Sequence, residues 1–377
     1  MHGIRQTLRG LAAVTTLLIG GATTAQAQDI PVVSIQSITG VQAFGGIAYQ
    51  NGIRLAVEET NAKGGVNGQK INLIERDNAS DKGQAINLAN QAADRDRAVL
   101  VLGPTSTADT MAVIPLFNDK RLPSMGFGSP DAILKSGPWV LKFRQNSEVD
   151  NPLLAKYVLE KTPVRKMAIV FDRTNEGMIE FKNAFREAFK AGGGTIVTEE
   201  AVMSSDSNFL PMATKLKTLD LDAVYLSTYP EQSANIALQL RQAGLAEKVR
   251  FVGSLAMVSP KFPSVAGKAG EGTLAVSDYV AGMDRPLNKS FEAAFKARYG
   301  TESDVFGALG YSLAQVAIAA LREAGPSATR EKVRDAYMQL KDVPVVVGSG
   351  LWNHTERKPN YGAVVLIVEN GKFVLAP

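Results

Sequence analysis

The fold is decided by the stretch VLVLGPTSTADT, from Val99 to Thr110, where a short apolar run meets a cluster of hydroxyl side chains. Large apolar residues in succession predict a buried strand, and the Gly-Pro pair ends it. Thr105, Ser106 and Thr107 then open a helix, and one hydroxyl is expected to cap its free N–H groups, contributing about 1 kcal/mol. Three hydroxyls in a row exceed what a cap needs. Because strand ends and helix starts bind anions in open parallel sheets, the stretch predicts a ligand site on an α/β fold.

The rest of the chain repeats this strand–helix alternation in two series. The predicted strands lie at 30–38, 70–76, 98–103 and 122–127, and again at 166–172, 195–202, 222–229 and 249–254. Alternating strands and amphipathic helices are typical of parallel sheets covered on both faces. A chain of 377 residues is also too long for one core. We therefore predict an α/β protein with two Rossmann-like lobes, each with a parallel central sheet, joined by a hinge. A final hairpin should turn at Asn370-Gly371.

The N-terminus has the organisation of a secretory signal peptide. Arg5 and Arg9 form a basic region, residues 11–19 are apolar, and Ala25 to Ala27 match a small-x-small cleavage site. The apolar run is far shorter than the roughly 20 residues that a membrane-spanning helix needs. We expect cleavage after Ala27 and a periplasmic protein.

Composition and the absence of known motifs exclude several classes of function. Without Arg5 and Arg9, 39 basic residues face 37 acidic ones, a net charge of +2 that is too small for a nucleic-acid-binding surface. The chain has no Cys, which excludes disulfides, thiolate metal sites and Cys nucleophiles. GxSxG, Walker and HExxH motifs are absent, and the glycines of GGVNGQK (64–70) precede a strand instead of following one. We predict a binding protein with no cofactor and no metal, not an enzyme.

Several motifs resemble one family of binding proteins. Residues 37–91, SITGVQAFGGIAYQNGIRLAVEETNAKGGVNGQKINLIERDNASDKGQAINLANQ, resemble the opening of the type I binding proteins of branched-chain amino acid ABC transporters. The family pattern is Gly, an aromatic and Gly, then a helix ending in N-A-x-G-G-(I/V)-x-G, then a strand and an Asp-rich turn. The turn at Gly103–Thr107 and the AGL at Ala243–Leu245 match as well. The resemblance covers nearly all of residues 29–377.

This resemblance implies a ligand held between the lobes. The family's carboxylate contacts fall on Ser106 and Thr107, and the next strand end would add the Phe127 backbone and Ser129. Aromatic contacts from the two lobes fall on Phe44 and Tyr229, although Phe44 has the alternative of simple packing and Ser129 that of a plain loop. The predicted ligand-binding residues are Phe44, Ser106, Thr107, Phe127, Ser129, Thr174, Asn175, Tyr229 and Leu255.

Departures from the family pattern bear on the ligand. Members that bind amino acids carry an acidic residue, which pairs with the ligand ammonium, where Leu255 stands here. The family's D-x-x-Y-G loop is also changed, with Thr174 and Asn175 near the tyrosine position. A buried ammonium without a counter-charge is costly. An aromatic or aliphatic carboxylate is therefore a candidate beside a branched-chain amino acid, which Asp172 or Glu231 would have to support.

The sequence thus predicts a monomeric solute-binding protein of an ABC importer, which closes on a small ligand and delivers it to permease subunits. Its predicted parts are a signal peptide at 1–27, lobe one at 28–145 and 278–353, and lobe two at 146–277 and 354–377. By the resemblance the chain crosses between lobes near Gln145, Ser277 and Asn353. The alternative is a ligand-sensing receptor module of the same fold.

Overall fold

The computed structural model describes His2, residues 28–128 and residues 130–377. The predicted leader, His2 aside, and the predicted ligand contact Ser129 lie outside the described residues.

A parallel sheet organises the first part of the chain. Its elements are β1 (Ile30–Gln36), α1 (Ala43–Ala62), β2 (Ile71–Asp77), α2 (Lys82–Asp94), β3 (Leu100–Leu102), α3 (Thr107–Asp119), β4 (Ser124–Gly126), α4 (Ala132–Lys135) and β5 (Val140–Lys142). The strand order is β2-β1-β3-β4-β5, and all neighbouring pairs are parallel. The predicted strand within VLVLGPTSTADT is β3, which is buried throughout and lies at the centre of this sheet. The helix that follows it is α3.

A second sheet collects strands from two distant parts of the chain. The elements of the middle part are α5 (Ser147–Lys161), β6 (Lys166–Asp172), α6 (Glu176–Ala191), β7 (Thr195–Val202), α7 (Leu210–Leu216), β8 (Ala223–Ser227), α8 (Pro230–Gln242), β9 (Arg250–Gly253), 3-10 turns at Leu255–Met257 and Gly267–Gly270, α9 (Lys261–Ala266) and β10 (Leu274–Ser277). The last part has α10 (Pro286–Tyr299), α11 (Val305–Glu323), α12 (Arg330–Tyr337), β11 (Val343–Pro344), β12 (Leu351–Thr355), β13 (Lys358–Asn360), β14 (Val364–Glu369) and β15 (Lys372–Leu375).

The order of the second sheet is β15-β14-β10-β9-β8-β6-β7. Strands β6 to β10 pair in parallel, whereas β14 pairs antiparallel with β10 and β15. The predicted hairpin at Asn370-Gly371 joins β14 to β15, and both turn residues have the positive φ that a two-residue type I′ turn requires, 52° and 72°. Parallel central sheets with helices on their faces confirm the predicted fold class.

Helices α1 and α11 cross closely and anchor one wall of the site described below. A Cβ on Gly52 would lie 2.1 Å from the carbonyl oxygen of Gly307, and a Cβ on Gly310 would lie 2.2 Å from that of Tyr49. Only glycine permits this backbone contact. Within the described residues, α11 alone is long and apolar enough to cross a membrane, but 83% of its most apolar window is buried, as in the core helix of a globular protein.

Candidate functional site

A cavity lies where the carboxyl ends of strands from both sheets face each other. Its walls are formed by Gln42, Phe44, Gly45, Tyr49, Thr105, Ser106, Thr107, Phe127, Arg144, Asn175, Gly177, Met178, Phe181, Tyr229, Leu255, Ala256 and Phe306. Small-molecule sites in proteins have mostly apolar walls with a few polar groups that fix the ligand. The cavity has the chemical character of such a site.

Most of the sequence-predicted residues come together here. Phe44, Ser106, Thr107, Phe127, Asn175, Tyr229 and Leu255 all line the cavity. Thr174 does not, because its hydroxyl and backbone N–H both donate to Oδ1 of Asp172, at 2.6 and 2.7 Å, just after β6. Ser129 lies outside the described residues.

The three hydroxyls before α3 have different roles. Ser106 caps the helix, since its Oγ accepts a hydrogen bond of 3.1 Å from the backbone N–H of Asp109. The Thr105 hydroxyl accepts from the backbone N–H of Ser37 at 2.9 Å and ties the turn to the end of β1. Among the described residues the Thr107 hydroxyl has no hydrogen-bond partner, and it lines the cavity at the start of the helix. Thr107 is therefore the hydroxyl available to a ligand.

Aromatic rings form the wall on the side of the first sheet. Tyr49 stacks on Phe127, with ring centroids 3.7 Å apart and planes 24° apart, and meets Phe306 edge-on at 5.4 Å. Phe44 packs edge-on against Phe306 at 5.4 Å and against Tyr229, from the second sheet, at 5.5 Å. This wall is apolar and largely aromatic, a surface suited to a ring or a branched aliphatic group.

The opposite wall comes from α6 and the end of β8. Asn175 caps α6 through its Oδ1, which accepts from the N–H of Gly177 at 2.9 Å, and its Nδ2 donates to the Tyr229 hydroxyl at 3.0 Å. Burial is the main cause that raises the pKa of Tyr229. The two sides meet closely, because a Cβ on Gly177 would lie 2.7 Å from Oγ1 of Thr107. The second wall thus packs against the start of α3, and the Asn175–Tyr229 hydrogen bond fixes two of its own side chains.

Arg144 is the one charged residue on the walls that the structure describes. It follows β5, its guanidinium lies 5.0 Å from the ring centroid of Phe181, and it pairs with Asp150 and, at 3.5 Å, with Asp278. Burial raises the pKa of Asp150 to about 7, although Arg144 opposes that shift. Sequence reasoning missed Arg144, since nothing local distinguishes it from a solvated arginine before its partners at Asp150 and Asp278 are known.

The acidic residues weighed from the sequence as partners for an ammonium are not on the walls. Leu255 is buried and lines the cavity, whereas the Glu231 side chain is 67% exposed and lies 3.9 Å from Lys261. Asp172 is buried behind the walls: its Oδ1 binds Thr174, and its Oδ2 has no partner. The lining that the structure describes contains no carboxylate. Nor do the described residues include a group of three or more His, Asp or Glu side chains that could hold a metal ion.

Aromatic residues on helices were also missed as site residues. Tyr49, Phe181 and Phe306 lie on α1, α6 and α11, where an aromatic residue on an apolar stripe is indistinguishable by spacing from a core residue. The buried glutamine Gln42 precedes α1 and lines the cavity with an Oε1 that has no partner. No signal in the sequence marks it.

Comparison with known proteins agrees with this architecture. A family model described as periplasmic binding protein matches residues 29–372. The Leu/Ile/Val-binding protein of Escherichia coli (strain K12) is 27% identical over 332 residues, 87% of this chain and 88% of that protein. A leucine-binding protein, LivK, of Thermotoga maritima superposes with a TM-score of 0.84 at 23% identity, over 93% of this chain and 98% of that one.

A second relative in structure is a solute-binding protein of an ABC transporter from R. palustris, solved in complex with benzoate. It superposes with a TM-score of 0.81 at 20% identity, over 92% of this chain and 95% of that chain. Members of the matched family are solute-binding proteins, not enzymes. The cavity between two parallel sheets and the match across almost the whole chain lead to one conclusion: this chain belongs to the periplasmic binding protein family.

Proposed function

We propose that the protein captures a small carboxylate without an α-amino group, aromatic or branched aliphatic, and delivers it to the permease of an ABC importer. The observation that carries this proposal is the chemistry of the described walls: a helix start with the free Thr107 hydroxyl, and no carboxylate.

The start of α3 is the proposed site of the ligand carboxylate. The first N–H groups of a helix have no partner within the helix, and the helix dipole favours negative charge at that end. Ser106 already caps the N–H of Asp109, which leaves the earlier N–H groups and the Thr107 hydroxyl for the ligand. A hydrogen bond to a charged group contributes about 1.5–3 kcal/mol.

Leu255 argues against an α-amino group. An ammonium in this cavity would lose its water shell and meet apolar side chains, including Leu255 and Phe44, without a wall carboxylate to compensate. Removing a charge from water in this way costs several kcal/mol. A keto, aromatic or simple branched acid avoids that cost.

A branched-chain amino acid is the second candidate. Asp172 favours it, because its buried Oδ2 has no partner and would gain one if the ligand ammonium reached it from the cavity. The E. coli relative is named for leucine, isoleucine and valine, and the R. palustris neighbour was solved with benzoate. The fold accordingly serves both ligand classes in its relatives, and the residues of the wall must decide between them.

The ligand would act by favouring the closed arrangement of two lobes about a hinge. A buried network supports hinge segments near Gln145 and Asp278. The Gln145 side chain donates from Nε2 to Oδ1 of Asp278 at 3.3 Å and accepts at Oε1 from the N–H of Gly362 at 3.1 Å. The Tyr361 hydroxyl donates to the other Asp278 oxygen at 3.1 Å. Three chain segments that connect the two sheets thus meet at one point.

We place the third crossing at 361–363 instead of near Asn353, where sequence reasoning put it. Asn353 lies inside β12, and the following turn stays with the first sheet: the guanidinium of Arg357 donates to the carbonyl oxygens of Gly137 and Leu134 at 2.7 and 2.9 Å. Only after β13 does the chain enter the second sheet, as β14.

Isothermal titration calorimetry with benzoate, 4-methyl-2-oxopentanoate, leucine and valine tests the proposal. We expect one of the two acids to bind at least tenfold more tightly than either amino acid. A ligand at 100 times its dissociation constant also adds about 2.7 kcal/mol of stability, so a thermal melt gives an independent readout. Tight binding of leucine or valine without binding of the acids would refute the proposal in favour of the second candidate.

A further inference from the structure

The cavity has a second polar end, which the proposed carboxylate site does not use. We propose that the Tyr49 hydroxyl forms a hydrogen bond with a hydroxyl group at the far end of the ligand, and that the charges around Arg144 exclude a second carboxylate there. This inference rests on the proposed function and names the substrate class more narrowly: a monocarboxylate with a distal hydroxyl.

The order of strands in the first sheet places the two polar ends of the cavity, at Thr107 and at Arg144, apart from each other. Thr107 follows β3 and Arg144 follows β5, with β4 between them. Since neighbouring strands lie about 4.8 Å apart, the two positions are about 10 Å apart along the edge of the sheet. Phe127, at the end of β4, lies between them, and Tyr49 stacks on it at 3.7 Å. A flat ring bound at the start of α3 would therefore extend along Phe127 towards Tyr49 and Arg144.

The burial and hydrogen bonding of Tyr49 are those expected of a residue that binds a ligand. Its side chain is 5% exposed and lines the cavity, yet its hydroxyl has no hydrogen-bond partner among the described residues. Burial, reinforced by Asp278 and Asp304 and opposed by Arg144, raises its pKa, so the hydroxyl stays neutral and can both donate and accept. A buried tyrosine hydroxyl normally finds a partner. The other lining tyrosine, Tyr229, already has one in Asn175.

The charge at this end is already compensated. Arg144 pairs with Asp150 and Asp278, and Asp304 also acts on the Tyr49 hydroxyl. The guanidinium is thus already paired with two carboxyl groups, and a second ligand anion would have to compete with them for it. Like charges in a buried site repel strongly. The far end therefore accepts a neutral hydroxyl and rejects a carboxylate.

Calorimetry with benzoate, 4-hydroxybenzoate and terephthalate tests this on the wild type, Tyr49→Phe and Tyr229→Phe. A neutral hydrogen bond changes affinity about 3- to 10-fold. We expect the wild type to prefer 4-hydroxybenzoate over benzoate by that factor and to bind terephthalate at least tenfold more weakly than benzoate. In Tyr49→Phe the preference should fall to about 1. In Tyr229→Phe, the matched control, the hydroxyl that is lost already binds Asn175, so the preference should remain.

The outcomes separate this inference from the proposed function. If benzoate binds but the wild type shows no preference for the hydroxylated acid, or if terephthalate binds as tightly, the second polar end is refuted while the carboxylate site stands. A preference that survives in Tyr49→Phe also refutes it. If no aromatic or keto acid binds the wild type and leucine does, the proposed function itself is refuted. The wild-type series decides these points even where a variant loses stability.

Discussion

Thr107→Val is the substitution that separates ligand binding from helix capping at the start of α3. The change keeps the shape of the side chain and removes only the hydroxyl, which has no partner within the described protein. Its loss should therefore leave the free energy of unfolding unchanged within about 0.5 kcal/mol. If the hydroxyl meets a buried carboxylate, its removal costs about 1.5–3 kcal/mol of binding free energy, or roughly 10- to 150-fold in the dissociation constant.

The two neighbouring hydroxyls supply matched controls. Ser106→Ala removes the cap on the N–H of Asp109 and should cost about 1 kcal/mol of stability. Thr105→Val breaks the bond to the N–H of Ser37 and leaves a buried donor without a partner, a cost of about 1–3 kcal/mol in stability. Chemical denaturation measures stability, and calorimetry with the tightest ligand of the screen measures binding.

The three variants must diverge for the reasoning to hold. Thr107→Val should change affinity without changing stability, and Thr105→Val should change stability most. If Thr107→Val binds as tightly as the wild type, the hydroxyls at this turn serve the helix and the loop, and the ligand carboxylate is held elsewhere.

Three further substitutions test the walls and the charge pattern. Leu255→Glu should weaken binding of a carboxylate ligand about tenfold or more and improve binding of leucine relative to it, measured by calorimetry; equal loss for both would contradict the role of Leu255. Gly177→Ala places a methyl 2.7 Å from Oγ1 of Thr107 and should weaken ligand affinity, because the two walls can no longer close fully. Small-angle X-ray scattering with ligand should then give a larger radius of gyration than for the wild type, and an unchanged radius would contradict this. Burial raises the pKa of Asp304 from 3.8 to about 6, so its contribution to stability is present below pH 4 and is lost as the pH rises to about 6. That loss is at most about 2–3 kcal/mol. Asp304→Asn keeps an acceptor for the Gly307 N–H, so in urea denaturation its free energy of unfolding should vary less between pH 4 and 6 than that of the wild type. The same pH dependence in both proteins would contradict this.

The strand-end rule predicted where the site lies, and the family resemblance predicted which residues line it. Ser106, Thr107 and Phe127 follow β3 and β4, and Tyr229 follows β8, in agreement with the rule that ligands bind at carboxyl ends of parallel strands. The hairpin at the C-terminus was predicted from two residues, because an Asn-Gly pair leaves few other turn geometries.

The rest of the site depends on contacts between distant parts of the chain. Tyr49 and Phe306 come together because α1 and α11 cross, and their sequence spacing is that of any core helix. Arg144 is buried only because Asp150 and Asp278 compensate it, and Asp278 follows a strand of the other sheet. The antiparallel pairing of β14 with β10 was likewise beyond local patterns, since nothing near the hairpin indicates which strand it joins.

Because α1 and α11 cross at glycines, the two walls of the cavity differ in how well they tolerate substitution. Any side chain at Gly52 or Gly310 would push the helices apart and displace Tyr49, so mutations on this side threaten the whole lobe before they alter ligand preference. Leu255, by contrast, stands in a single 3-10 turn after β9, and Met178 in the first turn of α6. New ligand preferences in this lineage should therefore arise by substitutions at Leu255 and Met178, while the aromatic wall is inherited unchanged.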